Sequence, residues 1–277
     1  MQVGILTSPF GKEPFEKVIQ FAGENGFDAL EVSSGVGGGH IDVAALDSAK
    51  AAEIKAALSK YDGLRISSLA MYMNVTDPEK REQTVNALKQ GVDAAEKLGV
   101  GVVCTLAGMP VPGKDKMKTI EEDCPLVLKP VAQYAAGKGI KIAMENWYAT
   151  NIQHLGHWRR IFEVIPDANF GLNYDPSHLL WQGIDYIAAV DEFAPRIFHT
   201  HAKDTEIKDH VLRVVGNQER GWWRYVIPGF GRVKWGEYIA ALRKIGYNDV
   251  LSIEHEDGAL GREEGFIKGK NFLRIFA

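Results

Sequence analysis

The sequence predicts an α/β protein, a single (β/α)₈ barrel of the TIM type. Three observations point there: eight short apolar runs of strand character, helical spacing between them, and no linker dividing the chain. At 277 residues the usual domain size of ~150 residues would suggest two domains, but α/β barrels routinely fill ~250 residues as one. Residues 1–277 are therefore read as one domain, with a long loop at about 205–234 expected over the barrel mouth.

The strand runs fall at 3–7, 29–33, 65–69, 100–106, 141–146, 170–175, 197–202 and 250–254. Helical spacing covers 14–25, 43–60, 78–98, 117–138, 155–165, 186–193 and 235–245. Asp77–Pro78 is a good helix start, since Asp caps free amides and Pro at the first helical position has no amide to lose. GENGFDALEV, AEKLGVGVVC, AAGKGIKIAMEN and RKIGYNDVLSIE each read as helix end, glycine, strand. Strict alternation implies parallel strands, and runs apolar at nearly every position fit strands covered on both faces. A doubly wound open sheet shares that alternation; eight units in one domain's length favour the barrel.

Composition narrows the function classes. The chain is 45% hydrophobic and 25% charged, ordinary for a folded protein, with net charge −4. An acidic balance disfavours duplex nucleic acid, whose affinity comes from basic surfaces displacing counterions. No stretch approaches the ~20 apolar residues of a membrane span and no leader is evident, so a cytoplasmic protein is expected. Two cysteines, Cys104 and Cys124, are too few for a disulfide framework or a thiolate metal site and are read as reduced and structural.

In a barrel the chemistry sits at the C-terminal ends of the strands. Four runs end in strong ligand types: IAMEN on Glu145, GLNYDPSH on Asp175 and His178, IFHTHAKD on His199 and His201, and LSIEHED on Glu254, His255, Glu256 and Asp257. The first four strands end in TSPF, EVSS, SLAMY and TLAGM and offer only Glu31 as a comparable group. Three carboxylates within reach of one another are costly to bury without a cation, and a divalent metal supplies one. An oxygen-rich donor set suits Mn²⁺ first, with Mg²⁺, Co²⁺ and Zn²⁺ as alternatives, one ion per chain.

EN at the fifth strand, NYDPSH at the sixth, HxHxKD at the seventh and SIEHED at the eighth, with GFDALEV near the start, resemble the sugar isomerase/epimerase family with the xylose-isomerase-like barrel. The resemblance spans nearly the whole chain. It implies Glu145, Asp175, His201 and Glu254 as metal ligands, Glu145 and Glu254 doubling as acid and base, and His178 at the substrate. Period two allows His199 or His201 as the ligand; His201 is preferred as nearer the mouth and matching HxKD. His255 points away from Glu254 and is read as structural. Lys203 and Asp204 are either a surface pair or reach substrate. Trp147, Trp181, Trp222 and Trp223 either pack or wall the apolar face of a sugar ring. Lys203, Trp147, Trp181 and, from the long loop, Arg224 join the expected substrate contacts. GVGGGH at 35–40 lacks the third glycine of a dinucleotide fingerprint and is read as a flexible loop.

The function expected is isomerisation or epimerisation of a sugar or keto-sugar, by proton abstraction next to a carbonyl through an enediolate. Dehydration or β-elimination of a keto-sugar, keto-inositol or 3-keto-glycoside at the same metal site is the related alternative. A nuclease akin to the apurinic-site endonucleases is disfavoured, because SLAMYMN and TLAGM supply no histidine and no Asp-x-His follows His201. A non-catalytic sugar-binding barrel is the remaining competitor. The partner expected is a small sugar or polyol, with no nucleic acid and no membrane; a homo-oligomer, dimer or tetramer, is left open.

Overall fold

Strand and helix alternate as the periodicity predicts, and the eight runs close into a parallel barrel. The computed structural model describes all 277 residues. Its barrel strands are β1 (Gln2–Leu6), β2 (Ala29–Gly35), β3 (Arg65–Ala70), β4 (Val102–Leu106), β5 (Lys141–Glu145), β6 (Phe170–Tyr174), β7 (Ile197–Ala202) and β8 (Val250–Ile253). Each pairs in parallel with its neighbours in the chain, and β1 pairs with both β2 and β8, which leaves no open edge. No helix is long and apolar enough to cross a membrane.

Local chemistry sets the helix ends. Asp47 and Asp115 cap the helices Ser48–Leu58 and Lys116–Glu122 by accepting the amides of Lys50 and Lys118. Gly99, at φ 76°, closes Arg81–Leu98 in the left-handed conformation. The single helix expected over 117–138 is two, Lys116–Glu122 and Cys124–Ala136. Pro125 has no amide to continue the ladder across Asp123. A final helix, Arg262–Leu273, completes the eighth unit. Its Gly265 and Gly269 weaken helical spacing in the sequence, yet they leave room for His255 and Ile253.

Two stretches read as irregular are ordered. Gly35–His40 is a tight β excursion: Gly38–Gly39 pairs antiparallel with Ser34 and Gly35, and Ile41–Asp42 pairs parallel with them. Gly37 and Gly39 take φ 70° and 77°, and a Cβ on Gly39 would sit 2.6 Å from the Ser33 carbonyl oxygen. The stretch 205–234 contains a hairpin, Asp204–Ile207 against Trp223–Val226, with the helix Asp209–Val215 between its strands.

The apolar core lies between strands and helices, with Trp158, Phe170 and Tyr238 fully buried. The barrel lumen is different. Glu31, Ser68, Asn173, His199 and Ser252 are buried there, bonded to one another or to shared partners across the lumen and between neighbouring strands. Register slips that skip Ser67 between β2 and β3, and Phe198 between β6 and β7, fall beside these residues. Bulges of this kind re-aim side chains.

The helix Leu155–Val164 carries an acid-sensitive group. His157 is buried, stacks on His154 with ring centroids 3.7 Å apart, and leaves Nδ1 without a partner. Burial, with His154 and Lys116 nearby, pulls its pKa down to about 4. Between pH ~6.5 and ~4 the unfolded chain therefore binds a proton that the folded chain refuses, so stability falls as pH drops through that window, by at most about 3 kcal/mol. His157→Gln is expected to flatten this slope in urea unfolding; the same slope in both proteins would place the acid sensitivity elsewhere.

Candidate metal centre

Four strands deliver one metal-ligating side chain each to a common point. Glu145 ends β5, Asp175 follows β6, His201 lies in β7 and Glu254 follows β8. One donor atom from each lies within 4.8 Å of all the others. His201 Nδ1 is 3.1 Å from Glu254 Oε2, 3.6 Å from Glu145 Oε1 and 3.9 Å from Asp175 Oδ2. Donors bonded to one cation at ~2.0–2.2 Å stand about 3–4 Å apart, so these separations fit a small divalent ion. His201 Nδ1 and Asp175 Oδ2 are buried and make no hydrogen bond. Buried polar atoms without a partner cost free energy, and a cation at their meeting point would satisfy both.

The remaining atoms of these residues are held. Asp175 Oδ1 accepts the Ser177 amide at 2.8 Å, which aims Oδ2 inward. Asn146 clamps the Asp175 backbone, accepting its amide at 2.7 Å and donating to its carbonyl at 2.9 Å. His178 Nδ1 accepts the Tyr225 hydroxyl at 2.5 Å, leaving Nε2–H to donate to Glu145 Oε1 at 3.0 Å. On the far side of the His201 ring, Nε2 donates to Glu31 Oε2 at 3.0 Å. This contact separates the two histidines that strand periodicity could not: His199 is occupied by Asn173 at Nδ1 and Ser67 at Nε2.

Lys203 is neither a surface residue nor paired with Asp204. It is 1% exposed, with Nζ 2.5 Å from Glu254, 3.2 Å from Glu256, 3.3 Å from Asp175 and 3.9 Å from Glu145. Burial alone would lower its pKa, but these carboxylates hold it well above the ordinary lysine value. Burial would likewise raise Glu254, yet Lys203 and His201 outweigh burial and the repulsion of Glu145 and hold it near 2. Glu145 is also lowered: the hydrogen bond from His178 and the positive charges of His201 and Lys203 overcome its burial. Asp204 accepts the amides of Thr205, Gly229 and Val233 and the Trp235 indole N–H, so it anchors the excursion.

The hairpin Asp204–Ile207/Trp223–Val226 lays an aromatic cover beside the cluster. Trp223 stacks on Trp181 at 4.4 Å, Tyr148 meets both edge-on, and Trp147 meets Tyr148 edge-on at 6.2 Å. Lys203 Nζ lies 4.5 Å over the Tyr225 ring. Arg224, an expected substrate contact, pairs with Glu206 and Asp257. His255 packs on Phe266, away from the cluster.

A second triple, Glu31, Cys104 and His199, also lies within ligating range. Its members are already committed: Glu31 to His201, Tyr72 and Ser252, and His199 to Asn173 and Ser67. It is polar packing in the lumen. A cavity of about 770 Å³ lies at the opposite end of the barrel against Arg65, Lys141 and Asp249. That face serves stability in this fold, so the converging donors, and not cavity size, locate the site.

A family profile described as xylose isomerase-like TIM barrel matches residues 19–276. The chain is 30% identical to YfiH of Bacillus subtilis (strain 168), itself uncharacterized, over 96% of each chain. It is 27% identical to an inosose dehydratase of Geobacillus thermodenitrificans (strain NG80-2), over 80% of this chain and 79% of that one. Among solved structures it matches the probable 3-DHS dehydratase AsbF, involved in petrobactin synthesis in Bacillus anthracis, with TM-score 0.79 and 18% identity over 99% of each chain. It also matches D-psicose 3-epimerase of Clostridium cellulolyticum H10, solved with D-tagatose, with TM-score 0.73 and 17% identity over 100% of this chain and 99% of that one.

Lys203→Met keeps the stem and removes the charge. Without metal, the carboxylates then face one another with their main counter-charge gone, and stability is expected to fall by about 3–5 kcal/mol. Added Mn²⁺ should restore more of it than it adds to the parent. Melting curves with and without Mn²⁺ check this; equal metal-induced shifts would show that Lys203 does not compensate the cluster.

Proposed function

Since the chain belongs to the xylose isomerase-like TIM barrel family, we propose that it is a metal-dependent isomerase or epimerase of a small sugar or keto-sugar. It would act by moving a proton next to a carbonyl. One observation carries the reading: two carboxylates, Glu145 and Glu254, converge with Asp175 on the bare Nδ1 of His201. In this reading Glu145, Asp175, His201 and Glu254 hold one divalent ion, with Mn²⁺ the first candidate for its oxygen-rich donors. When bound, the ion supplies Lewis acidity that stabilises negative charge developing on a carbonyl oxygen and its neighbouring hydroxyl.

The chain's residues would do the rest. Glu145 and Glu254 enter from β5 and from beyond β8, so they would approach a bound substrate from different sides, one removing a proton and the other returning one. Each is kept ionised by a named partner, His178 for Glu145 and Lys203 for Glu254. His178 would also meet a substrate hydroxyl. Trp181 and Trp147, with Trp223 stacked behind Trp181, would wall the apolar face of the ring and limit water. The stretch 205–234 would act as the cover of this site.

The identity to inosose dehydratase favours a second reading with the same first step. Here a carboxylate takes the proton, the electron pair forms a carbon–carbon double bond, and the neighbouring C–O bond breaks, with the departing hydroxide taking a proton to leave as water.

Incubation of Mn²⁺-loaded protein with ketoses and inososes in D₂O separates the two. Deuterium entering the carbon skeleton without other mass change supports epimerisation or isomerisation; loss of water supports elimination. Metal analysis after loading is expected to give about one ion per chain, and a clear deficit would defeat both. Glu254→Gln should stay folded by circular dichroism and lose ~10²–10⁴-fold in turnover, whereas full activity would remove Glu254 from its role.

A further inference from the structure

We propose that Glu31 is the positioning residue of the metal centre: across the barrel lumen it fixes the tautomer and ring orientation of His201, so that Nδ1 presents a lone pair to a divalent cation. The proposal rests on the ligand reading above and adds to it a residue that touches neither cation nor substrate.

The burial of Glu31 calls for an explanation. Its side chain is fully enclosed, 0% exposed, in the lumen of a barrel, where apolar filling is the rule. No lysine or arginine pairs with it; its nearest basic neighbours are His201 at 3.0 Å and His199 at 3.8 Å. A carboxylate in such a place is costly unless every oxygen is engaged. Here each one is. Oε1 accepts the Tyr72 hydroxyl at 2.5 Å, and Oε2 accepts the Ser252 hydroxyl at 2.7 Å and the His201 Nε2 proton at 3.0 Å.

The surrounding protons assign the tautomer. Asn173 Oδ1 accepts from His199 Nδ1, and Asn173 Nδ2 donates to the Tyr72 oxygen at 2.9 Å. The Tyr72 proton goes to Glu31, so the proton between His201 and Glu31 must come from Nε2. Nδ1 is then the nitrogen left for a cation, the atom that faces Glu145, Asp175 and Glu254. The register slip after Leu30, which skips Ser67, falls where Glu31 must turn toward the lumen. A carboxylate behind a ligating imidazole orients the ring and raises its basicity, and removing such a partner typically weakens metal binding by 10–100-fold.

The test measures Mn²⁺ affinity of the metal-free full-length protein by titration calorimetry, with ¹⁵N-histidine spectra of the Zn²⁺-loaded protein as a tautomer readout. Glu31→Gln is expected to weaken Mn²⁺ binding by roughly 10–100-fold while circular dichroism is unchanged, and the parent is expected to show His201 protonated at Nε2. Unchanged affinity in Glu31→Gln, or His201 protonated at Nδ1 in the parent, would overturn the proposal. If Glu31→Gln does not fold, Tyr72→Phe decides: a loss of at least about threefold supports the positioning chain and an unchanged affinity overturns it. His201→Ala separates the two levels. If it leaves Mn²⁺ binding intact, the ligand reading has failed; if it abolishes binding while Glu31→Gln does not weaken it, only the positioning role has failed.

Discussion

Four carboxylates crowd around one buried ammonium at the mouth of this barrel, and much of the surrounding structure is arranged to make that tolerable. Glu145, Asp175, Glu254 and Glu256 all lie within 4 Å of Lys203 Nζ. Even when His201 carries a proton, the carboxylates outnumber the positive charges beside them. In a medium of low effective dielectric such an excess demands hydrogen bonds to each oxygen or a further cation. The first remedy is visible, and the geometry leaves room for the second. His178, the Ser177 amide and Lys203 serve three of the carboxylates, while His201 Nδ1 and Asp175 Oδ2 point together without a hydrogen bond of their own.

The same constraint explains the unusual lumen. An imidazole that must face the carboxylates with a chosen nitrogen needs a fixed partner behind it, and that partner, Glu31, needs partners of its own. Tyr72 and Ser252 bond to it directly, and Asn173 links Tyr72 to His199. The network ends at the Ser67 and Ser68 hydroxyls near His199 Nε2. Polar networks in a low dielectric are favourable only when complete, and this one is, which is why it can replace apolar filling without loosening the barrel.

Strand ends carried most of what the sequence disclosed. Glu145, Asp175, His201 and Glu254 were legible because each closes an apolar run, and runs that end together in a parallel barrel bring their last residues to one rim. The sequence offers Lys203 as a surface residue or a substrate contact; its counter-charge role is not readable there, because it comes from burial against Glu254 and Asp175 on two other strands. Glu31 stands out as the one comparable group at the first four strand ends, but its role is not readable there. It sits third in β2, its partner His201 is 170 residues away, and the register slip that turns it inward leaves no mark in composition. The hairpin was readable in principle from the alternation in WRYV, but its partner strand lies fifteen residues upstream behind a short helix. The last helix was hidden by the glycines that let it pack.

The hairpin binds the cover to the chemistry beneath it. Alternation along Trp223–Val226 turns Trp223 and Tyr225 toward Trp181, His178 and Lys203, and Arg224 toward Glu206 and Asp257. Asp257 lies three residues beyond Glu254, so the ion pair that pins the hairpin also pins the segment carrying that carboxylate. At the other end, Asp204 gathers three backbone amides and one indole N–H from both sides of the excursion. It lies next in sequence to Lys203. Movement of the cover would therefore pull on both members of the Lys203–Glu254 pair, while a seated cover keeps water from the charges and strengthens their attraction. Packing and charge compensation are in this way one arrangement: the aromatic strand lies against a cluster whose own neighbours hold that strand in place.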